Sequence, residues 1–88
     1  MADETAVGDV VVTFESGLHA RPAARIVQTA SSFEGEISFR TKDREVSGKS
    51  ILGLLTLGAT RGEHLTIKAK GPDAPAAVQA IVALFGNS

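Results

Sequence analysis

The sequence predicts a single α+β domain, spanning residues 1–88, in which three helices cover one face of a four-stranded antiparallel sheet. The spacing of apolar residues changes between every second residue, typical of strands, and every third or fourth, typical of helices. These changes give the order β-α-β-β-α-β-α. Each strand has an apolar face that helices on that side would cover. A chain of 88 residues also has room for only one small core.

The first two elements follow a polar start, residues 1–8, which we expect to be a flexible lead. Residues 10–14 are apolar enough on both faces to predict a strand that is central in the sheet. Helical spacing begins at Ala20 and predicts a helix that Gly35 ends. The apolar positions of that helix are Ala23, Ile26, Val27, Ala30 and Phe33.

The middle of the chain predicts two strands and a short helix. Ile37 and Phe39 alternate with polar residues as the second strand, and residues 45–47 form a short third strand at an edge. A helix is expected over residues 51–57, with Ser50 as its N-cap.

The last two elements have the clearest patterns. In the fourth strand the inward positions are Leu65, Ile67 and Ala69, and the outward positions are His64, Thr66, Lys68 and Lys70. Asp73 is expected to cap the final helix, with Pro75 in its first turn and Gly86 at its end. The buried stripe of this helix is Val78, Ile81, Val82 and Phe85.

Composition excludes several classes of function. The absence of cysteine excludes disulfides and thiolate chemistry, and fits a cytoplasmic protein. The formal net charge is −1, and there are four Phe but no Trp or Tyr, so nucleic-acid binding is not expected. The acidic start does not resemble a signal peptide, and no apolar stretch is long enough to span a membrane.

The most informative segment is Gly17–Pro22, which places a histidine where a loop becomes a helix. The N–H groups of the first helical turn, from Ala20, have no intrahelical partner, and the helix dipole is positive there. Arg21 adds a planar fork of donors that suits phosphate oxygens. A ring nitrogen of His19 could therefore attack phosphorus, and the amides and Arg21 would hold the phosphoryl oxygens. Pro22 has the fixed φ that favours helix entry.

Two other patterns carry no chemistry. His64 is expected to be a solvated surface residue, and a metal site made from His19 and His64 would lack a third ligand. Residues 48–50 read Gly-Lys-Ser, as in a phosphate-binding P-loop, but that loop needs a glycine where Asp43 stands. We therefore expect no nucleotide, metal or other cofactor.

The short helix has apolar residues on two sides, although packing on a sheet buries only one. Leu54 and Leu57 lie on one side, and Ile51, Leu52 and Leu55 lie on the other. We expect the second group to be exposed as a contact surface, the alternative being a segment that is tucked deeper. A phosphate on Ser50 would be tolerated at the helix start and would add negative charge to this surface.

Two motifs together resemble the HPr family, the histidine-containing phosphocarriers of the bacterial phosphoenolpyruvate-dependent sugar phosphotransferase system. Gly17–Pro22 resembles the active-site signature and Lys49–Gly58 the regulatory-serine segment. Residues 27–31 are also similar, so the resemblance covers about residues 10–85. A departure lies at residues 47–48, where Ser-Gly replaces the Asn-Leu of many members.

The resemblance implies an open-faced β-sandwich and a stoichiometric carrier rather than a turnover enzyme. His19 would be phosphorylated on Nδ1 by enzyme I, which itself receives the phosphoryl group from phosphoenolpyruvate. His19 would then pass the group to a histidine of a IIA domain. Arg21 would flank the phosphate, and Ser50 would be the target of a serine kinase, HPr kinase/phosphorylase. The implied partner surface is Ala20, Ala24, Arg25, Gln28, Lys49, Ile51, Leu52 and Leu55. The protein would be a monomer with transient partners.

Other functions stay open on the sequence. A specialised branch, such as a nitrogen-regulatory phosphotransferase system, would use the same histidine. A regulator that binds proteins through the Ser50 surface would never be phosphorylated on His19. A small ligand- or RNA-binding module is the third class, although the mixed charge and few aromatics disfavour it.

Overall fold

The computed structural model describes residues 4–86. The elements are β1 (Glu4–Val11), α1 (Ala20–Ala30), β2 (Glu36–Arg40), β3 (Glu45–Ser47), α2 (Ile51–Leu57), β4 (His64–Gly71) and α3 (Ala74–Gly86). The strands form one antiparallel sheet in the spatial order β1-β4-β2-β3. The predicted element order, the antiparallel sheet and the α+β class are confirmed.

Strand β1 differs from the prediction in its extent and its position. It begins at Glu4, so residues 4–8 pair with β4 rather than forming a flexible lead; residues 1–3 lie outside the described part. It is also an edge strand, because β4 pairs with both β1 and β2. Gly8 interrupts the alternation of apolar residues that would have indicated this strand. A Cβ atom at Gly8 would lie 2.7 Å from Cγ1 of Val78. Helix α3 therefore requires a glycine at an inward position that would ordinarily be apolar.

Residues 12–14, which we predicted to be strand, leave the sheet and close one end of the core. Val12 is 1% exposed, and its N–H donates to the Glu63 carbonyl at 2.9 Å. Phe14 packs on Phe85 with a ring-centroid distance of 5.2 Å. These residues are apolar because they cover the end of the core, not because they lie in a central strand.

Helix α1 ends earlier than predicted, at Ala30 rather than near Gly35. The N–H groups of Ser31 and Phe33 donate back to the carbonyls of Val27 and Ala30, at 2.8 and 3.1 Å. Gly35 has another role, because a Cβ atom there would lie 1.9 Å from the Lys70 carbonyl oxygen. It allows the chain to approach β4 closely as β2 begins. Ala23, Ile26 and Ala30 are buried as predicted, while Val27 and Phe33 are half-buried.

The remaining elements match the sequence pattern. Strand β3 pairs only with β2 and lies at the other edge, as predicted. In β4 the predicted inward positions are buried, and in α3 Val78, Ile81 and Phe85 are buried while Val82 is half-buried. The Asp73 carbonyl accepts from Ala77 at the start of α3, which extends to Gly86, the last described residue. The largest fully buried side chains are Phe39, Ile26, Leu54, Leu65, Ile67, Ile81 and Val12.

Candidate functional site

His19 is the N-cap residue of α1 and its side chain is free. Its backbone is extended, with φ −106° and ψ −168°, and the side chain makes no capping hydrogen bond. The residue is exposed. The imidazole is therefore accessible to a reacting group, as the sequence predicted.

A close contact with the segment after α2 fixes the loop that carries His19. Gly17 has φ +76°, and a Cβ atom there would lie 2.8 Å from the Ala59 carbonyl oxygen. The same oxygen accepts from the Leu18 N–H at 2.9 Å, and the Leu18 side chain is 5% exposed. The Gly17 N–H donates to the Phe14 carbonyl at 2.9 Å. The loop is thus anchored on both sides of Gly17, immediately before the histidine.

The first turn of α1 leaves two backbone N–H groups available. The first turn of a helix has no intrahelical acceptors for its N–H groups. Pro22 has no N–H, and the Ala23 N–H already donates to the His19 carbonyl at 3.0 Å. The free donors are therefore those of Ala20 and Arg21, and both residues are exposed beside the imidazole.

A cleft of about 190 Å³ lies beside the imidazole. It is lined by Phe14, Glu15, His19, Arg21, Pro22 and Arg25. Within residues 4–86 the side chains of Glu15, Arg21 and Arg25 form no ion pair or hydrogen bond, so both guanidinium groups are open to an anion. Two arginines and the free amides make this cleft suitable for phosphate oxygens.

Phe14 and Glu15 are the two lining residues that sequence reasoning did not place at the site, and only Glu15 is charged. It precedes Ser16-Gly17 in a loop, and no periodic signal shows where a loop side chain lies. Among the described residues, 4–86, its carboxylate is the only negative group that lines the cleft. It opposes part of the positive charge of Arg21 and Arg25.

Ser50 caps α2 as predicted. Its Oγ accepts from the Gly53 N–H at 2.9 Å, and the residue is half-buried. Its neighbour Lys49, expected on the partner surface, is half-buried and donates from Nζ to the Phe33 carbonyl at 2.6 Å. The structure therefore uses this ammonium group to connect the chain after α1 to the start of α2.

Gly48, the second residue of the Ser-Gly pair at 47–48, fits tightly. A Cβ atom there would lie 2.9 Å from Cγ2 of Ile37 and from Cε1 of Phe39. Its N–H donates to the Ile37 carbonyl at 2.7 Å. The approach to Ser50 is closely packed at this point.

Helix α2 exposes the second apolar side that the sequence predicted. Ile51, Leu52 and Leu55 are 43%, 72% and 38% exposed, while Leu54 and Leu57 are buried. The alternative of a more deeply tucked segment is wrong. Ala20, Ala24, Arg25 and Gln28 are also exposed on α1, and α1 packs against α2. Apart from the tethered Lys49, the predicted partner surface is therefore accessible, on two helices that pack against each other.

Three further features are the position of His64, possible metal-binding groups and possible membrane-spanning helices. His64 is exposed at the start of β4, opposite Val11, as predicted. Residues 4–86 contain no group of three or more side chains that could hold a metal ion. In the same range no helix has the length and apolar character to cross a membrane.

Known proteins match the chain over most of its length. The family model described as "PTS HPr component phosphorylation site" matches residues 7–87. The phosphocarrier protein HPr of Xylella fastidiosa is 42% identical over 79 residues, which cover 90% of this chain and 89% of that protein. A multiphosphoryl transfer protein of Xanthomonas campestris is 42% identical over 76 residues, which cover 86% of this chain and 9% of that protein.

Solved structures have the same fold. The crystal structure of HPr-C-His from Thermoanaerobacter tengcongensis superposes with a TM-score of 0.88 at 37% identity, covering 92% of this chain and 91% of that one. An HPr dimer from the same organism matches with a TM-score of 0.74 at 39% identity, covering 88% of each chain.

Proposed function

This chain belongs to the HPr family, the phosphocarriers of the phosphotransferase system, and from that premise we propose that it relays a phosphoryl group through His19. The donor is phosphorylated enzyme I, and the acceptor is a histidine of the IIA domain of a sugar permease. The observation that supports this most directly is the exposed imidazole without a capping bond, beside two free N–H groups.

The transfer is a displacement at phosphorus. The lone pair of His19 Nδ1 forms an N–P bond while the P–N bond of the donor phosphohistidine breaks, and its electron pair returns to the donor nitrogen. The amides of Ala20 and Arg21 and the Arg21 guanidinium stabilise the phosphoryl oxygens. The reverse displacement on the IIA histidine regenerates the free imidazole, so the chain acts as a stoichiometric carrier and not as a turnover enzyme.

Both partners use one surface. Enzyme I and the IIA domain must each bring a histidine to His19, so each docks on the exposed groups that border it. The apolar part of this surface is Ile51, Leu52 and Leu55 on α2, and the α1 part is Ala20, Ala24, Arg25 and Gln28. Sequential docking requires short-lived complexes, which fits a small interface.

Phosphorylation of Ser50 by HPr kinase/phosphorylase regulates this docking. The Ser50 Oγ lies at the N-terminus of α2, where N–H groups tolerate an anion. The phosphate places about two negative charges beside Leu52 and Ile51. Desolvating that charge on docking would be costly, so the modified form binds enzyme I more weakly.

A specialised branch is the second candidate for the same chemistry. The match to a multiphosphoryl transfer protein supports it, because a similar segment forms 9% of that longer protein. In either case the chain would act in the cytoplasm as a monomer. Light scattering of the purified chain tests the oligomeric state: a mass of 9.1 kDa supports the monomer, and twice that mass contradicts it.

The relay is tested by incubating the chain with enzyme I and phosphoenolpyruvate. We expect an acid-labile mass gain of one phosphate that the H19A variant does not show. H64A is the matched control, because His64 is the chain's other histidine and is also exposed. A phosphate retained by H19A, or lost in H64A, would contradict the assignment. A chain that gains no phosphate in any form would support the regulator that acts only by protein binding.

A further inference from the structure

A second cleft rich in N–H donors lies on the sheet face opposite the helices, away from His19. Its volume is about 380 Å³. The residues that line it are Arg40, Thr41, Lys42, His64 and Thr66. None of them is acidic, and three carry cationic or N–H donor groups.

The strand register brings these side chains together. Arg40 lies opposite Thr66 in the antiparallel pair of β2 and β4. Lys42 lies in the turn that follows β2 and lines the same cleft as His64 at the start of β4. Side chains two residues apart share one face of a strand, and opposite positions are close neighbours. The guanidinium, ammonium and imidazole groups therefore border one cleft.

Hydrogen bonds within the turn after β2 fix one wall of this cleft. The Thr41 N–H donates to the Arg44 carbonyl at 2.9 Å, which closes the turn. The Thr41 Oγ1 accepts from the N–H groups of Asp43 and Arg44, at 3.4 and 3.3 Å. Because this oxygen accepts twice, its own hydrogen is available to donate to a ligand.

The neighbouring carboxylates leave the donors unpaired. Asp9 accepts from the Thr66 hydroxyl at 2.9 Å and does not line the cleft. Glu45, across from Arg40 on β3, lines a different cleft together with Lys68.

Asp43 lies in the same turn but also does not line the cleft. Within residues 4–86 the side chains of Arg40, Lys42 and His64 form no ion pair or hydrogen bond. Their donor capacity is thus available to a bound anion.

We propose that this cleft binds a phosphate dianion, either free or as the ester of a small metabolite. The Arg40 fork binds two oxygens, Lys42 supplies a point charge, and the Thr41 hydroxyl and the His64 ring supply directed donors. The volume is in the range of small-molecule sites. A polyanion would require a longer basic surface, and the net charge of −1 and the lack of an aromatic lining disfavour nucleic acid.

The test is a titration of the full chain with inorganic phosphate and, separately, with glycerol phosphate, followed by amide chemical shifts at constant ionic strength. We expect saturable shifts at residues 41–44 and at His64. K42Q should weaken binding about three- to fivefold, as expected for one exposed charge contact. K68Q is the matched control, because Lys68 has the same charge on the same sheet face but does not line this cleft; it should change the affinity less than about twofold.

Equal affinity for both probes would identify phosphate itself as the ligand, and tighter binding of the ester would identify a phosphorylated metabolite; either result supports the site. Shifts that stay linear with concentration, or equal weakening by K42Q and K68Q, would overturn it. H19A should leave these shifts unchanged, so the outcome does not depend on the relay proposed for His19. The double variant R40Q/K42Q should abolish saturation while its spectrum away from the cleft remains native.

Discussion

Replacing Gly17 by alanine should disturb the fold and the histidine loop more than the same change at Gly62. Both glycines have positive φ, +76° and +94°. A Cβ atom at Gly17 would lie 2.8 Å from the Ala59 carbonyl oxygen, whereas at Gly62 it would meet nothing within 4 Å. The pair therefore separates the cost of the backbone conformation from the cost of the close contact.

The magnitudes follow from this difference. A left-handed backbone costs alanine about 1–2 kcal/mol at either position. At Gly17 the methyl group must also push the loop from Ala59, which weakens the Leu18 N–H bond to that oxygen, worth about 1 kcal/mol net. Overpacking adds about 1 kcal/mol or more. G62A should therefore lower the unfolding free energy by about 1–2 kcal/mol, and G17A by about 3–4 kcal/mol, on the same scales.

Two measurements check this reasoning. Urea unfolding gives the stability of each variant, and the melting temperature should fall by about 4–8 °C per kcal/mol in a domain of this size. The rate of His19 phosphorylation by enzyme I should fall about tenfold or more in G17A, because small displacements of a reacting group are costly. It should be nearly unchanged in G62A. Equal losses of stability, or a normal phosphorylation rate in a folded G17A, would refute the argument that the contact with Ala59 positions the histidine.

Two further predictions concern α2. S50A removes the acceptor for the Gly53 N–H, so the unfolding free energy should fall by about 0.5–2 kcal/mol in urea titrations. S50N, which can still cap, should be close to the parent, and equal loss in both variants would contradict the capping role. L52D places a charge on the most exposed apolar residue of this helix. It should lower kcat/KM for phosphoryl transfer from enzyme I about tenfold while changing stability by less than about 0.5 kcal/mol. V7D is its control, because Val7 is also an exposed apolar residue but lies on the opposite face of the molecule. An equal effect of both variants would contradict a partner surface on α2.

The elements that could be predicted from sequence are those with a regular pattern and one buried face. In β4 the alternation around Ile67 gave the correct inward positions, and in α2 the two apolar sides gave the correct exposure of Leu52. Strand β1 could not be predicted in the same way. Its inward Gly8 is required by Val78, seventy positions later on α3, and a local pattern does not carry that information.

The candidate site shows the same division. His19 and Arg21 follow from a local motif, since the helix start places them together. Glu15 could not be found, because its place in the cleft depends on how an irregular loop folds. The bond from Lys49 to the Phe33 carbonyl joins two loops sixteen residues apart and has no periodic signal. Contacts of this kind become visible only when the tertiary structure is known.

The N-cap side chain of α1, which makes no capping hydrogen bond, also limits the thermal stability of the protein. An aspartate or serine at position 19 could accept from the exposed amides, and such caps are commonly worth about 1 kcal/mol. The histidine forgoes that gain, and Pro22, buried in the first turn, compensates only by favouring helix entry. Screening for heat resistance alone would therefore favour variants at this position that fold better and have lost the imidazole. Substitutions meant to raise the thermal stability should therefore be made at other positions, with His19 left unchanged.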